Sequence, residues 1–203
     1  MDGVRIIAGR FRHRTLESPP AKTTRPITDR VKQSLFDALS VAIGFENIRV
    51  LDVFAGTGSL GLESLSRGAA SVVFVEKDRH ALTALRNNIN ALGVKAISQV
   101  VAADAFARRD LWRGGMGTFD LIFVDPPYPL LDSSLRMDFE TLISQAAEES
   151  LNPDGIVLFR HPANFSPASL QMAERIKRRQ NYGSMAVTWL QRWSAPDDGE
   201  DAR

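Results

Sequence analysis

Five short apolar runs alternate with segments of helical period along residues 50–159, and that alternation constrains the fold more than any other feature of the chain. The runs are Val50–Phe54, Val72–Val75, Ile97–Val101, Leu121–Val124 and Ile156–Phe159. They are continuously apolar, as strands covered on both faces are. Between them, Ser59–Arg67 reads as a short helix stopped by Gly68. Asp78 opens a second, with Leu82, Leu85, Ile89 and Leu92 at spacings of three and four and Gly93 as its stop. A third helix is expected at Phe139–Leu151, followed by a turn at Asn152-Pro153-Asp154-Gly155. Strand–helix alternation of this kind predicts an α/β fold with a doubly wound, mostly parallel sheet.

The two ends depart from the repeat. Arg5–Ala8 and Thr15–Leu16 are expected to pair as a small N-terminal β-hairpin through Gly9. Thr28 caps an expected helix over Asp29–Ala42, with Val31, Leu35, Ala38 and Ala42 on one face. After a helix expected near Ser166–Ile176, the segment 184–193 alternates weakly and suits an antiparallel edge hairpin with 176–182. The expected organisation is an arm over 1–22, one α/β domain over 23–194, and a polar acidic tail over 195–203, expected to be disordered. A length of 203 residues fits one domain.

Several functions are excluded early. With no cysteine there is no disulfide, thiolate zinc site or thiol nucleophile. His13, His80 and His161 are far apart, so a metal-independent protein is expected. No apolar run reaches the roughly 18 residues of a membrane helix, and the first ten residues lack a signal-peptide core, so a cytoplasmic protein without a membrane partner is expected. The formal net charge of +1 conceals an asymmetry: residues 1–36 hold eight bases and three acids, leaving 17 bases and 21 acids for the rest. A basic arm on a mildly acidic body suits a polyanion, or else is a solvated face.

Gly56, Gly58 and Gly61 spell G-x-G-x-x-G between the first strand and its helix, and Glu76 closes the second strand 20 residues after Gly56. Such glycines let a ligand approach the backbone, and such an acid can hold ribose hydroxyls. The plain alternative is a tight turn. A dinucleotide places its pyrophosphate at the helix N-terminus. Asp52, four residues before the first glycine, disfavours that anion and favours a cation such as S-adenosylmethionine (SAM), unless Asp52 is a structural turn residue. Asp104, after the third strand, either accepts from an adenine amine or caps a helix. An NAD-dependent Rossmann oxidoreductase is the rival that rests on the same loop.

Asp125-Pro126-Pro127-Tyr128 follows the fourth strand. Two prolines remove two backbone donors, while their carbonyls and the Asp125 carboxylate remain acceptors. That suits a substrate NH2 whose lone pair must be drawn out of ring conjugation, with Tyr128 stacking on the base. The bland alternative is a stiff loop with a buried tyrosine. Beside the glycine loop, methyl transfer to an amine is the better reading.

At these residues the chain resembles SAM-dependent amino-methyltransferases carrying D/N-P-P-Y/F/W, and more narrowly the RsmD family, which methylates guanine N2 in small-subunit (16S) rRNA. The resemblance runs through Arg5-Ile6-Ile7-Ala8-Gly9, Arg12, Arg14 and Leu16, then Thr24-Arg25-Pro26, Thr28-Asp29-Arg30-Val31 and Leu35-Phe36. It continues through Asp52–Gly58, Gly61-Leu62-Glu63, Ser66–Ala69, Phe74–Asp78, Asp125–Tyr128 and Tyr182-Gly183. It implies a seven-stranded Rossmann-like sheet, SAM as methyl donor and 16S rRNA as substrate, free or in a small-subunit particle, with the enzyme a monomer. Asp125, Pro126, Pro127 and Tyr128 are then catalytic. Arg25, Thr28, Asp52, Phe54, Gly56, Gly58, Glu76, Lys77, Asp104 and Ala105 are implied cofactor contacts; Arg5, Arg10, Arg12, Arg14 and Arg30 are implied RNA contacts. An adenine-N6 nucleic-acid methyltransferase is the near rival. Three departures stand out: Ile27 replaces a usual polar residue, His13 a common glycine, and Phe159-Arg160-His161-Pro162 a region where the family more often has an acid.

Overall fold

A computed structural model describes residues 4–18, 27–107, 115–131, 136–166 and 173–192. The elements run α1 (Asp29–Ala42), β1 (Arg49–Val53), α2 (Ser59–Ser66), β2 (Ser71–Glu76), α3 (Arg79–Leu92), β3 (Ser98–Ala102), β4 (Phe119–Val124), α4 (Arg136–Gln145), β5 (Leu151–Pro162), β6 (Ile176–Tyr182) and β7 (Met185–Leu190). They build one seven-stranded sheet in the order β3-β2-β1-β4-β5-β7-β6. β1 to β5 pair in parallel, and β7 and β6 are antiparallel. The expected doubly wound sheet and its antiparallel edge hairpin are both present.

Residues of alternating parity face two cores. One face, with Val50, Val72, Phe74, Leu121, Phe123, Leu158 and Trp189, is covered by α1, α2 and α3. The other, with Leu51, Val53, Val73, Ile122, Val157 and Phe159, packs on Phe139, Leu142 and Ile143 of α4. Helix ends follow local chemistry. Asp78 accepts from Ala81 N at 2.8 Å at the start of α3, and Gly93 closes it at φ 69°. Thr28 caps α1 through Val31 N at 3.4 Å.

Four expectations need correction. The buried face of α1 is Lys32, Leu35, Phe36 and Leu39, and Ala42 is exposed. The sequence stripe was displaced because Lys32 reads as polar, yet its ammonium is drawn inward to Glu63 at 3.1 Å. The turn expected at Asn152–Gly155 is part of β5. Asn152 Nδ2 donates to Asp120 Oδ1 on β4 at 2.5 Å, which holds the segment beside the sheet while the register slips between Phe119 and Leu121. Before it, the helix expected to reach Leu151 ends as α4 at Gln145 and continues as a wider turn over Ala146–Ser150. Of the helix expected near Ser166–Ile176, residues 167–172 lie outside the described residues; Ala173–Arg175 is a single tight turn and Ile176 opens β6.

The N-terminal hairpin is short but firmly seated. Leu16 N bonds Val4 O at 2.7 Å and Ile6 N bonds Arg14 O at 2.9 Å. It lies against α2, where Glu63 accepts from Ile7 N and Ala8 N and Arg10 N donates to Ser66 O. Approach is so close that a Cβ at Gly9 would fall 1.9 Å from Ser66 O. His13 sits at φ 69°, a left-handed conformation that explains why glycine suits its position. The expected tail at 195–203 lies outside the described residues. Among the described residues no helix is long and apolar enough to cross a membrane.

Candidate active site

Parallel strands end together, so the loops after β1, β2, β3 and β4 meet at one edge of the sheet. β2 lies on one side of β1 and β4 on the other, which makes the gap between the β1 and β4 loops the topological switch point. Sequence positions 54–61 and 125–128 thus become neighbours: Asp125 N donates to Val53 O at 3.2 Å, and Ala55 N to Val75 O at 3.1 Å.

The glycine loop is shaped by three residues with positive φ: Phe54 at 61°, Gly56 at 56° and Gly58 at 84°. A non-glycine residue held there is strained, a feature that clusters at functional sites. The Phe54 ring lies 5.7 Å from Phe106 and 5.8 Å from Phe139, centroid to centroid. A Cβ at Gly56 would meet nothing within 4 Å, so open space lies over the loop.

Each acid has a distinct place. Glu76 Oε2 accepts from Gly56 N at 2.8 Å, while Oε1 accepts from Lys77 N and Asp78 N, each at 2.8 Å. Asp104 Oδ1 accepts from Phe106 N at 3.1 Å, and its Oδ2 pairs with Lys77 Nζ at 2.8 Å. Burial would raise the Asp104 carboxyl, but these bonds outweigh it and hold its pKa below the ordinary range. Ala105 is buried beside it. Asp52, expected to face a cationic ligand, is only 1% exposed, and its Oδ2 accepts from Gly61 N at 2.9 Å within the first turn of α2. Burial pushes its pKa well up against the Gly61 bond, with Asp125 and Glu76 adding to the rise. Asp52 thus supports the loop from beneath.

Asp125 has its Oδ1 on Arg160 Nε of β5, with side chains 18% and 12% exposed. Burial raises the Asp125 pKa and Arg160 opposes that rise. Pro127 O accepts from Leu130 N at 3.0 Å, so one of the two proline carbonyls expected to serve a substrate is engaged in the turn. Tyr128 opens that turn, half-buried, with the Arg160 guanidinium carbon 5.8 Å from its ring centroid. Burial raises the Tyr128 pKa, against the charge of Arg160. Arg160 was read from the sequence only as a departure. The signal lay in register: Val124 pairs with Phe159, so the next residues, Asp125 and Arg160, come level.

His161, next along β5, faces the opposite side. Its Nε2 is 2.8 Å from Thr188 Oγ1 and its Nδ1 2.8 Å from Pro162 O, so Nδ1 donates and Nε2 accepts. Burial lowers its pKa to about 4. Of the basic residues, Arg5 pairs with Asp29 at 2.5 Å, Arg14 donates to Ala91 O at 3.0 Å, and Arg10 lies 4.5 Å over the Phe11 ring. Arg12 and Arg30 are exposed, and Arg25 falls outside the described residues. Among the described residues no group of three or more His, Asp or Glu could hold a metal ion.

A glycine loop and a D-P-P-Y turn thus face each other across the switch point. The family model described as "Conserved hypothetical protein 95" matches residues 4–191. The chain belongs to the RsmD family. An RsmD-type relative of Escherichia coli strain K12, named ribosomal RNA small subunit methyltransferase D, is 39% identical over 137 residues, or 66% of each chain. A Bacillus subtilis strain 168 protein, named a candidate rRNA methyltransferase, is 32% identical over 184 residues, 91% of this chain and 96% of its own. Among solved structures, a hypothetical protein of Thermus thermophilus superposes with a TM-score of 0.76 at 29% identity, covering 93% of this chain and 99% of that one. The fold is also shared, at TM-score 0.61 and 19% identity, over 79% of this chain and 48% of the other, by a candidate methyltransferase complexed with SAH, the demethylated form of SAM. This RsmD-family chain is accordingly a methyltransferase with a Rossmann-like fold.

Proposed function

We propose that the chain transfers the methyl group of SAM to the exocyclic N2 amine of a guanine in 16S rRNA. The observation that carries this reading is the placement of Asp125–Tyr128 at the end of β4, directly across the switch point from the glycine loop after β1.

The residues present fit SAM. Glu76 already orients Gly56 through one oxygen and keeps further lone pairs for ribose hydroxyls. Asp104 stands at the next strand end, where an adenine amine would reach it, with Ala105 and Phe54 as apolar neighbours and Lys77 as its counter-ion. Asp52 is buried on Gly61 N and does not choose between ligands; the D-P-P-Y turn facing the glycine loop is what favours SAM over NAD. The family resemblance assigns Thr28 at the start of α1, together with Arg25, to the methionine end of SAM.

SAM supplies an electrophilic methyl carried on a sulfonium. Asp125 and the Pro126 carbonyl accept hydrogen bonds from the amine and turn its lone pair out of the ring, while Tyr128 stacks on the base. Asp125 forms no covalent bond. Arg5, Arg10, Arg12, Arg14 and Arg30 hold the phosphates of the RNA. The chain acts as a cytoplasmic monomer on rRNA free or within an assembling small subunit.

The test is incubation with labelled SAM and 16S rRNA from a strain lacking this protein, followed by nucleoside analysis. The expected product is N2-methylguanosine. N6-methyladenosine would move the assignment to adenine, and tight NAD binding without SAM binding would overturn the reading.

A further inference from the structure

The ion pair between Arg160 and Asp125 is costly for what it joins. Both side chains are largely out of water, at 12% and 18% exposure. Taking two charges from water is offset only by good geometry, and an apolar pair of similar size often packs as well or better. The pair also ties together nothing new, because β4 and β5 are already hydrogen-bonded along their length. What it does fix is local. Arg160 Nε occupies Asp125 Oδ1, and its guanidinium carbon lies 5.8 Å from the centroid of Tyr128. One arginine therefore touches both side chains of the D-P-P-Y turn on which amine chemistry would depend.

We propose that Arg160 is a positioning residue for methyl transfer: it occupies one oxygen of Asp125, leaves the other as the acceptor for the substrate amine, and backs one face of Tyr128 so that the other face takes the base. This rests on the function proposed above. A planar fork fixes both neighbours at once, which a flexible ammonium does not.

Charge supports the same assignment. Arg160 from β5 is the charge that acts on Asp125, and Asp52 of β1 and Tyr128 of its own turn feel the charge of Asp125 in turn. Burial raises the Asp125 pKa, and Arg160 is the cation that opposes this. A protonated Asp125 would present an O–H donor to an NH2 group that needs an acceptor. Removing the charge of Arg160 therefore raises the pKa of Asp125 further, and the acid limb of the turnover profile moves to higher pH.

The experiment compares the full chain with R160Q and R160K on 16S rRNA, reading turnover against pH and SAM affinity by calorimetry. The Asp125 carboxyl is titrated in parallel by carbon NMR, its signal assigned with D125N. In R160Q turnover should fall at least tenfold with SAM affinity within twofold, and both the acid limb and the carboxyl titration should rise by about one pH unit or more. R160K should return the acid limb towards its original position while turnover stays below that of the parent. R160Q with an unmoved limb and titration overturns the proposal, whether or not turnover falls. Should R160Q fail to bind SAM through misfolding, R160K decides: reduced turnover with the parental limb supports it, and parental turnover overturns it. Absence of any methyl transfer by the parent would instead defeat the proposed function, leaving the NMR titration to decide the hold of Arg160 on Asp125.

Discussion

Glu76 serves three backbone donors with one carboxylate. It accepts from Gly56 N, which shapes the glycine loop, and from Lys77 N and Asp78 N, which start the following turn. Removing it should loosen the loop as well as delete a hydrogen-bond acceptor for the ligand. Glu76→Ala should weaken SAM by at least the roughly 1.5–3 kcal/mol of hydrogen bonds to a charged group, and Glu76→Gln, which keeps one acceptor, by less. Calorimetry checks both; equal affinity in Glu76→Ala would show that SAM does not use this carboxylate. At this scale the sequence was legible wherever a residue's position along the chain decides its place. Glu76, Asp104 and Asp125 stand at strand ends because apolar runs stop there. The carboxylate of Asp52 was harder, since whether an acid at a strand end faces the crevice or the helix depends on side-chain parity. It lies on the face shared with α2, and Gly61 N claims it. Arg160 was harder still, because its partner is set by strand register between segments 35 residues apart.

A buried acid of α2 is one of the anchors of the N-terminal hairpin, beside Ser66. Glu63 is fully buried, and it accepts from Ile7 N, Ala8 N and Arg67 Nε, with Lys32 Nζ 3.1 Å away. Lys32 donates in turn to Arg5 O and Ser59 Oγ, so α1, α2 and the hairpin share one polar centre. Burial lowers the Lys32 pKa, and Glu63 opposes that shift. Glu63→Ala leaves an ammonium buried without its carboxylate, which should cost roughly 3–5 kcal/mol. Replacing both, as Lys32→Met with Glu63→Leu, should recover only the part due to the unpaired ammonium, because Ile7 N, Ala8 N and Arg67 Nε still lose their acceptor. Urea unfolding measures each; a Glu63→Ala chain within about 1 kcal/mol of the parent would remove this centre from the account. No periodicity reveals such a pair. The hint was a lysine on the stripe that also holds Leu35, Phe36 and Leu39, a place where a lone charge needs a partner. The bulged start of β5 escaped notice for the opposite reason. Asn-Pro-Asp-Gly is a turn signal by composition, but the pairing of Leu151 with Phe119 and of Ile156 with Leu121, with the bond of Asn152 to Asp120, keeps it in the sheet.

For the molecule as a whole, the alternation of apolar runs and helical periods was sufficient to give the sheet class, because parallel strands demand crossover helices. The strand order was not contained in that alternation; the family resemblance added the number of strands and not their order. The arm belongs to this scale as well. Arg10, Arg12 and Arg14 are exposed on a hairpin seated against α2 and α3, and none of the three is bonded to the glycine loop among the described residues. Replacing the three with alanine should raise the KM for RNA. It should also lower the magnitude of the salt slope by roughly 0.7–0.9 for each phosphate no longer neutralised, with SAM affinity unchanged. A wild-type slope would mean that these arginines are a solvated face. The central claim is that Asp125, set opposite the glycine loop, directs an amine of rRNA at the methyl of SAM. It is tested most directly by the rate of methyl transfer to 16S rRNA in Asp125→Ala, measured beside SAM affinity on the same protein. The account predicts a fall of roughly a hundredfold or more, the scale seen when one oriented polar group is removed from a transition state, with SAM bound about as tightly as before. Transfer at the parental rate by a folded, SAM-binding Asp125→Ala chain would contradict it.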